Sequence, residues 1–294
     1  YGLAGVARFR VNFLMQDRGA AAVCRIIPED IQSLDDLGVP AAVAALADIE
    51  KGLVLVTGPT GSGKSTTLAA IIDAINRKHE RHIVTIEEPV EFVHKNRKSV
   101  ISHREVGTHT NSFAAALRAV IRQDADVVLV GEMRDLETIE AAIRAAETGH
   151  LVFATLHTTG AAGTINRIID AFPVNQQAQV RVQLSVALIC VLSQVLLRRD
   201  DRTGRVAAYE FLVVTPAISN LIRENKTFRI DSAIQTGKKF GMQLLDDHLW
   251  SLYQKGVIPA DEMIDKGKDP GELTEKVHRA GGSVGRTELD TEPD

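Results

Sequence analysis

The chain has 294 residues, 45% of them hydrophobic and 24% charged, with a formal net charge of −4. That is room for one large or two ordinary globular domains, and the slightly acidic balance offers no grip on nucleic acid or an anionic membrane. Its two cysteines, Cys24 and Cys190, lie far apart in apolar runs; they exclude a disulfide framework or a cysteine metal cluster and fit a reducing compartment.

In chain order, residues 7–14 and 20–27 read as two β-strands around a turn at Gln16-Asp17-Arg18-Gly19. Two strands alone are marginal, and the first residue, which is not Met, already lies in a strand-like run. Residues 1–27 are therefore expected to end a small domain whose beginning has been cut away. Residues 28–40 read as a linker, with Leu34, Leu37 and Val39 as docking points. A helix is expected from Ala41 to Lys51, stopped by Gly52. Beyond it, strands expected at 53–57, 82–86, 98–102, 126–130 and 150–155 alternate with helices near 64–77, 112–122 and 135–147. That alternation is the α/β pattern of a parallel sheet covered by helices.

Past residue 155 the chain reads as largely helical: 159–170, 175–197, 215–224, 229–238, 242–254, 259–265 and 270–279, with one strand at 206–214. Its longest apolar stretch, 184–197, is broken by Ser185, Ser193 and Gln194 and reads as a core helix, not a membrane span. From Gly281 the tail is glycine-rich and then acidic, and residues 281–294 are expected to be disordered.

The chemistry centres on Gly58-Pro59-Thr60-Gly61-Ser62-Gly63-Lys64-Ser65-Thr66, which follows the apolar run Leu53-Val54-Leu55-Val56-Thr57 and opens a helix. Strand, glycine-rich turn and helix make a phosphate-binding loop. Glycines let backbone N–H groups turn toward a phosphate, and the helix N-terminus adds partial positive charge. Lys64 is placed to reach the β- and γ-phosphates, and the Ser65 hydroxyl to hold Mg²⁺.

Val127-Val128-Leu129-Val130-Gly131-Glu132 is a buried strand ending in a carboxylate. Ligands of open α/β sheets sit at the carboxyl ends of strands, so Glu132 is a candidate to polarise the attacking water, directly or as general base. Gly131 is not an acid, and a second acid must come from elsewhere. Glu87 or Glu88, before Pro89 at another strand end, could hold Mg²⁺ through water or position the nucleophile; Pro89 keeps Glu88 out of the αR region.

His150 and His157 bracket a further apolar strand, and His157 lies where a γ-phosphate sensor would sit. Either also fits a hydrogen-bonded structural role. Arg10 and Arg25, in the N-terminal strands, could neutralise charge across a subunit boundary, or line a solvated strand face. Arg104, Arg122 and Arg134 are nearer the loop, and their pattern assigns them no unique role.

Together these stretches resemble the secretion-superfamily ATPases, specifically the type IV pilus retraction ATPases of the PilT type. The phosphate loop matches, as does the Asp box, Thr85-Ile86-Glu87-Glu88-Pro89-Val90-Glu91-Phe92. An atypical Walker B, Asp126-Val127-Val128-Leu129-Val130-Gly131-Glu132-Met133-Arg134-Asp135, accounts for Gly131. The His box runs from Ala146-Glu147-Thr148-Gly149-His150 through Thr155-Leu156-His157-Thr158. Arg104-Glu105-Val106-Gly107 and Gly241-Met242-Gln243 match too, so the resemblance covers nearly all of the chain but the tail.

The resemblance implies a RecA-like ATPase domain over 41–280 with a helical C-terminal part, preceded by the remnant of a PAS-like α+β domain at 1–27. It implies ATP and Mg²⁺ as ligands, with ATP bound between domains of a homo-hexameric ring to which Arg10 and Arg25 contribute. It also implies a motor for twitching motility, cytoplasmic at the inner-membrane base of the pilus and acting on a platform protein there. With most of its N-terminal domain missing, the chain is expected to assemble poorly and hydrolyse ATP weakly.

Two positions depart from the pattern. The family's Glu-Asp-Pro reads Glu87-Glu88-Pro89 here, and the retraction motif Ala-Ile-Arg-Asn-Leu-Ile-Arg-Glu has Ser219 in place of its first arginine. Assembly and type II secretion ATPases of the superfamily typically carry a four-cysteine zinc element, which two distant cysteines cannot build. A ring that binds ATP with little turnover is the alternative of another class. A small-molecule phosphotransferase would need an acceptor pocket and a lid, which no segment suggests.

Overall fold

Two sheets organise residues 2–3, 7–27, 30–201 and 203–281, the part of the chain that the computed structural model describes. The smaller is antiparallel and holds β1 (Gly2–Leu3), β2 (Ala7–Gln16) and β3 (Gly19–Ile27). A turn pinned by the Ser33 hydroxyl on Asp36 leads to α1 (Ala41–Ala44) and a 3-10 turn, Ala45–Asp48. Leu34 and Val39 of this connection pack onto the core of the larger sheet.

That sheet contains β4 (Gly52–Thr57), β5 (His82–Glu87), β6 (Val100–Glu105), β7 (Val127–Val130), β8 (Leu151–Leu156), β9 (Leu188–Arg198) and β10 (Arg205–Val213). Their order is β10-β9-β4-β8-β7-β5-β6. All neighbours run parallel except the edge strand β10, which is antiparallel to β9.

Between the strands lie α2 (Lys64–Lys78), α3 (Phe113–Val120), α4 (Leu136–Glu147), α5 (Ala161–Asp170) and α6 (Val174–Ala187). After β10 come α7 (Pro216–Arg223), α8 (Ile230–Thr236), α9 (Leu245–Gln254), α10 (Ala260–Lys266) and α11 (Pro270–Arg279).

The continuous apolar strand sequences follow from burial on both faces, because successive side chains point to opposite sides of a sheet. Leu53, Leu55, Val128, Val130, Val152 and Ala154 pack on one face with α3 to α6. Val54, Val56, Val127, Leu129, Leu151 and Phe153 pack on the other, with α1 and α2. A third cluster joins the outer parts of β9 and β10 to α9, α10 and α11. Side-chain caps set helix starts: Ser112 accepts the Ala115 N–H, and Asp135 accepts the Thr138 N–H at 2.8 Å. The second fixes the beginning of α4 just past Glu132.

Two expected elements are corrected. The helix expected over 41–51 is α1 followed by the 3-10 turn, which ends at Asp48. The helix over 175–197 ends at Ala187, and residues 188–198 form β9, hydrogen-bonded to β4 and β10. The reading of 184–197 as a core helix fails with it. A strand covered on both sides shows no alternation, so periodicity does not separate it from a buried helix. Val191, Val195 and Ile189 were the β-branched residues that favoured a strand.

β6 also starts two residues later and runs three residues beyond its expected end, carrying His103, Arg104 and Glu105 into the sheet. No helix among the described residues is long and apolar enough to cross a membrane. The tail expectation, apart from Gly281, falls outside the described residues.

Candidate active site

Four adjacent parallel strands, β4, β8, β7 and β5, deliver the candidate residues from their carboxyl ends. Neighbouring strands lie about 4.8 Å apart, so the phosphate loop after β4, His157 after β8, Glu132 after β7 and Glu87 closing β5 stand in one row.

The loop's shape depends on glycine at two positions in particular. A Cβ on Gly58, at φ 142°, would lie 2.2 Å from the Gln194 carbonyl and 2.7 Å from the Ser62 hydroxyl. Gly63 caps α2 at φ 88°, a left-handed conformation that leaves the first N–H groups of the helix facing the loop. Gln194 of β9 donates its side-chain amide to the Ser62 carbonyl and braces the loop from the neighbouring strand. Beside Ser62, Gly63 and Thr66 a cavity of about 440 Å³ opens toward Leu37, Arg199 and Arg205. That volume lies in the usual range of small-molecule sites, and its position against the loop suits a nucleoside.

Lys64, Glu132 and His157 meet. The Lys64 ammonium donates to the carbonyls of Gly58 at 2.9 Å and Pro59 at 3.0 Å, and lies 3.5 Å from His157 Nδ1. His157 Nε2 is 2.9 Å from Glu132 Oε1, and Thr60 Oγ1 is 3.5 Å from His157 Nδ1. A nitrogen facing a carboxylate carries the proton and one facing an ammonium accepts, which sets the imidazole as the Nε2–H tautomer.

Arg134 Nε closes the group, 2.7 Å from Glu132 Oε1. Burial alone raises the Glu132 carboxyl, yet the Arg134 hydrogen bond and the charges of His157, Arg134 and Lys64 together bring it below the ordinary value. Glu132 is thus held as a carboxylate. Lys64 is lowered by burial, against the opposing charges of Glu132 and Glu91.

Glu87 and Glu88 separate. Glu88 is exposed, whereas Glu87 is buried and shares a cavity of about 30 Å³ with Ser65, Gly131 and Thr155. Burial pushes the Glu87 carboxyl to about 7; hydrogen bonds from the Thr85 hydroxyl and the Glu91 amide oppose the rise, the charge of Glu91 adds to it, and that of Arg8 opposes it.

Gly131 sits in a tightly packed place. A Cβ there would stand 3.2 Å from the Ile86 carbonyl and 3.3 Å from the Glu87 Cα. The β7 backbone therefore packs against the end of β5, and Glu87 occupies the ground beside it.

No group of three or more His, Cys, Asp or Glu among the described residues could hold a metal by itself. A hydroxyl and a carboxylate at one cavity are hard oxygen donors. They suit Mg²⁺, which keeps several waters and takes one or two protein ligands plus phosphate oxygens.

Three sequence candidates stand elsewhere. His150 lies at the amino end of β8, about 20 Å from His157 at 3.3 Å per residue, and its ring faces the Ala145 carbonyl at 3.1 Å and the Thr148 hydroxyl at 3.3 Å. Within this subunit it secures the α4–β8 turn and does not reach the phosphate loop. Arg10 and Arg25 face each other across the β2–β3 register and are exposed. The arginine that does approach from the small sheet is Arg8, whose guanidinium donates to the carbonyls of Val90 at 2.8 Å and Glu91 at 3.3 Å. Arg8 and Gln194 escaped the sequence reading. For Gln194 the signal was a Ser-Gln pair inside an apolar run; for Arg8 there was none.

The profile of a protein family described as type II/IV secretion system protein matches residues 4–245. The chain belongs to that family. This type II/IV secretion system protein is 55% identical over 258 residues to a twitching motility protein of Neisseria gonorrhoeae, covering 88% of this chain and 69% of that relative. It is 53% identical over 270 residues to the type IV pilus retraction ATPase PilT of Pseudomonas aeruginosa, covering 92% and 78% of the two chains. A crystal structure of the pilus retraction motor PilT with bound ADP matches with a TM-score of 0.87 at 50% identity, over 94% of this chain and 78% of that one.

Proposed function

We propose that this chain hydrolyses ATP and, as one subunit of a homo-hexameric ring, drives retraction of a type IV pilus. The observation that carries the reading is the contact of Lys64, His157 and Glu132 at the mouth of the phosphate loop. Lys64 turns from the loop carbonyls to the β- and γ-phosphates. Glu132, already ionised, orients the attacking water and takes up its proton. His157 bridges the two, so the position of the carboxylate depends on what Lys64 holds.

Ser65 and Glu87 are the residues to hold Mg²⁺, which when bound supplies charge neutralisation at the phosphate oxygens. In this reading Arg10 and Arg25, exposed on the small sheet, serve the phosphates of a neighbouring copy, and Arg8 links that sheet to the Asp box.

Retraction, rather than secretion or assembly, is supported by the two relatives and by a cysteine content too low for a zinc element. At the departure from the retraction motif, the Ser219 hydroxyl donates to the Ser185 carbonyl at 2.7 Å and ties α7 to α6. The motor works at the cytoplasmic base of the pilus against an inner-membrane platform protein. Deleting the gene in a piliated host tests this: retained pili with lost surface motility are expected. Loss of the pili would move the reading to assembly, and unchanged motility would overturn it.

A further inference from the structure

Residues 157–160 join β8 to α5 and carry His157 into the pocket; the far end of this turn is anchored on a buried acid. Across β10, β9 and β4 the register sets Glu210 opposite Ser193, and Ser193 opposite Thr57. Directly paired residues share a face. A buried polar row therefore crosses a face whose next members, Leu212, Val191 and Leu55, are apolar. Glu210 Oε1 accepts the Ala161 amide at 2.7 Å, and the Ser193 hydroxyl accepts the Gly160 amide at 3.0 Å. The Thr164 hydroxyl donates to the Gly160 carbonyl at 2.7 Å, so it accepts from the Thr158 hydroxyl, also at 2.7 Å. His157 is thus followed at once by a residue tied to this anchor.

A buried carboxylate needs a counter-charge, and here it comes from outside the sheet. Lys268, between α10 and α11, sets its ammonium 2.6 Å from Glu210 Oε2 and 3.4 Å from Asp231 of α8. A Cβ on Gly160, at φ 74°, would lie 3.0 Å from that nitrogen and 3.4 Å from Glu210 Oε1, so glycine makes room for the pair. The Lys268 and Asp269 amides donate to the Asp246 carboxylate at 2.8 and 2.9 Å, which fixes the connection that presents the lysine. Burial favours loss of the Lys268 proton, yet Glu210 and Asp231 outweigh it and raise the group above its ordinary value.

We propose that Glu210 and Lys268 are positioning residues for ATP hydrolysis: their ion pair, reaching in from the helical C-terminal part, holds the 157–160 turn so that His157 stays between Lys64 and Glu132. The proposal rests on the reading of His157 as a member of the hydrolytic pocket. Among the described residues neither side chain forms a hydrogen bond or ion pair with the phosphate loop. Its effect therefore falls on turnover and not on nucleotide capture. Displacing a pocket group by about 1 Å from a distance can cost up to roughly a hundredfold in rate.

Steady-state hydrolysis and thermal melts of the full chain, measured together, test it. Lys268→Met leaves the Glu210 carboxylate buried without its cation. Combining it with Glu210→Gln removes both charges, keeps an acceptor for the Ala161 amide and still cuts the tie to Lys268. The double variant is expected to melt above Lys268→Met, yet both should lower kcat about tenfold or more with KM little changed. Lys268→Arg keeps the cation and should recover most of that loss. In ¹H–¹⁵N spectra the His157 ring signals should shift in the double variant while those of His150, at the other end of β8, stay in place. A parental kcat in the double variant would show the clasp to be merely structural and overturn the proposal, as would unshifted His157 signals. If His157→Gln itself leaves turnover intact, the reading of the pocket fails instead, and the His157 signals of the double variant still report whether the clasp sets the turn.

Discussion

Glu87 should make the protein less stable as the solution becomes less acidic, and replacing it by glutamine should reverse this. In the fold its carboxyl is raised from the ordinary 4.5 to about 7 by burial. Between those values the folded chain holds a proton that the unfolded chain has lost. Stability contributed by the protonated group is thus complete below pH 4.5, falls as pH rises toward 7, and levels off above it. At about 1.4 kcal/mol per pH unit, the loss by pH 8 is roughly 3 kcal/mol.

Glu87→Gln keeps the shape and removes the charge, so it should gain on the order of 5–10 °C in melting midpoint over the parent at pH 8. At pH 4.5 the two should melt within a degree or two of each other, because both are neutral there. Calorimetric melts at the two pH values measure the difference, and ATP hydrolysis should drop in the variant even as it becomes more stable. An equal effect of the substitution at both pH values would refute the assignment of burial as the cause.

Removing the Lys64 ammonium in Lys64→Met deletes charge-assisted hydrogen bonds worth about 1.5–3 kcal/mol, and titration calorimetry with ADP should show roughly 10- to 100-fold weaker binding; unchanged affinity would contradict its role. Gly131→Asp restores the acid usual at that position but drives a Cβ toward the Ile86 carbonyl and Glu87. It should cost about 1–3 kcal/mol of stability and lower turnover, and a gain in turnover would contradict the steric account. Glu210 is fully buried, takes the Ala161 amide at 2.7 Å and pairs with Lys268 at 2.6 Å, tying the α10–α11 loop to the start of α5 just past the His box. Lys268→Met leaves that carboxylate without its cation and should cost about 3 kcal/mol in denaturant melts; a loss below about 1 kcal/mol would show the clasp to be dispensable.

Much of the pocket was legible because its parts sit at strand ends, where an apolar run stops at a residue with chemistry. The phosphate loop, Glu132 and His157 could all be aimed in this way, since parallel strands share their carboxyl ends. His150 shows the limit of that logic. It flanks the same apolar run as His157, and only the direction of β8 separates a pocket residue from one that secures a turn.

Glu87 and Glu88 were equivalent in sequence, and the end of β5 decided between them: Glu87 closes the strand and is buried, while Glu88 lies just past it and is exposed. β9 was misread because full burial erases alternation, and Gln194 was lost with it, a polar residue whose partner lies 132 positions away. The role of Gly131 was invisible for a related reason: the close approach it permits belongs to the packing of β7 on β5, not to either strand alone.

The central claim is that Lys64 and Glu132 act on one triphosphate. It is tested most directly by Glu132→Gln, read by both ATP binding and phosphate release. The account predicts that the variant captures ATP as tightly as the parent and holds it unhydrolysed, with turnover down at least about a hundredfold. Turnover within a few-fold of the parent would contradict it.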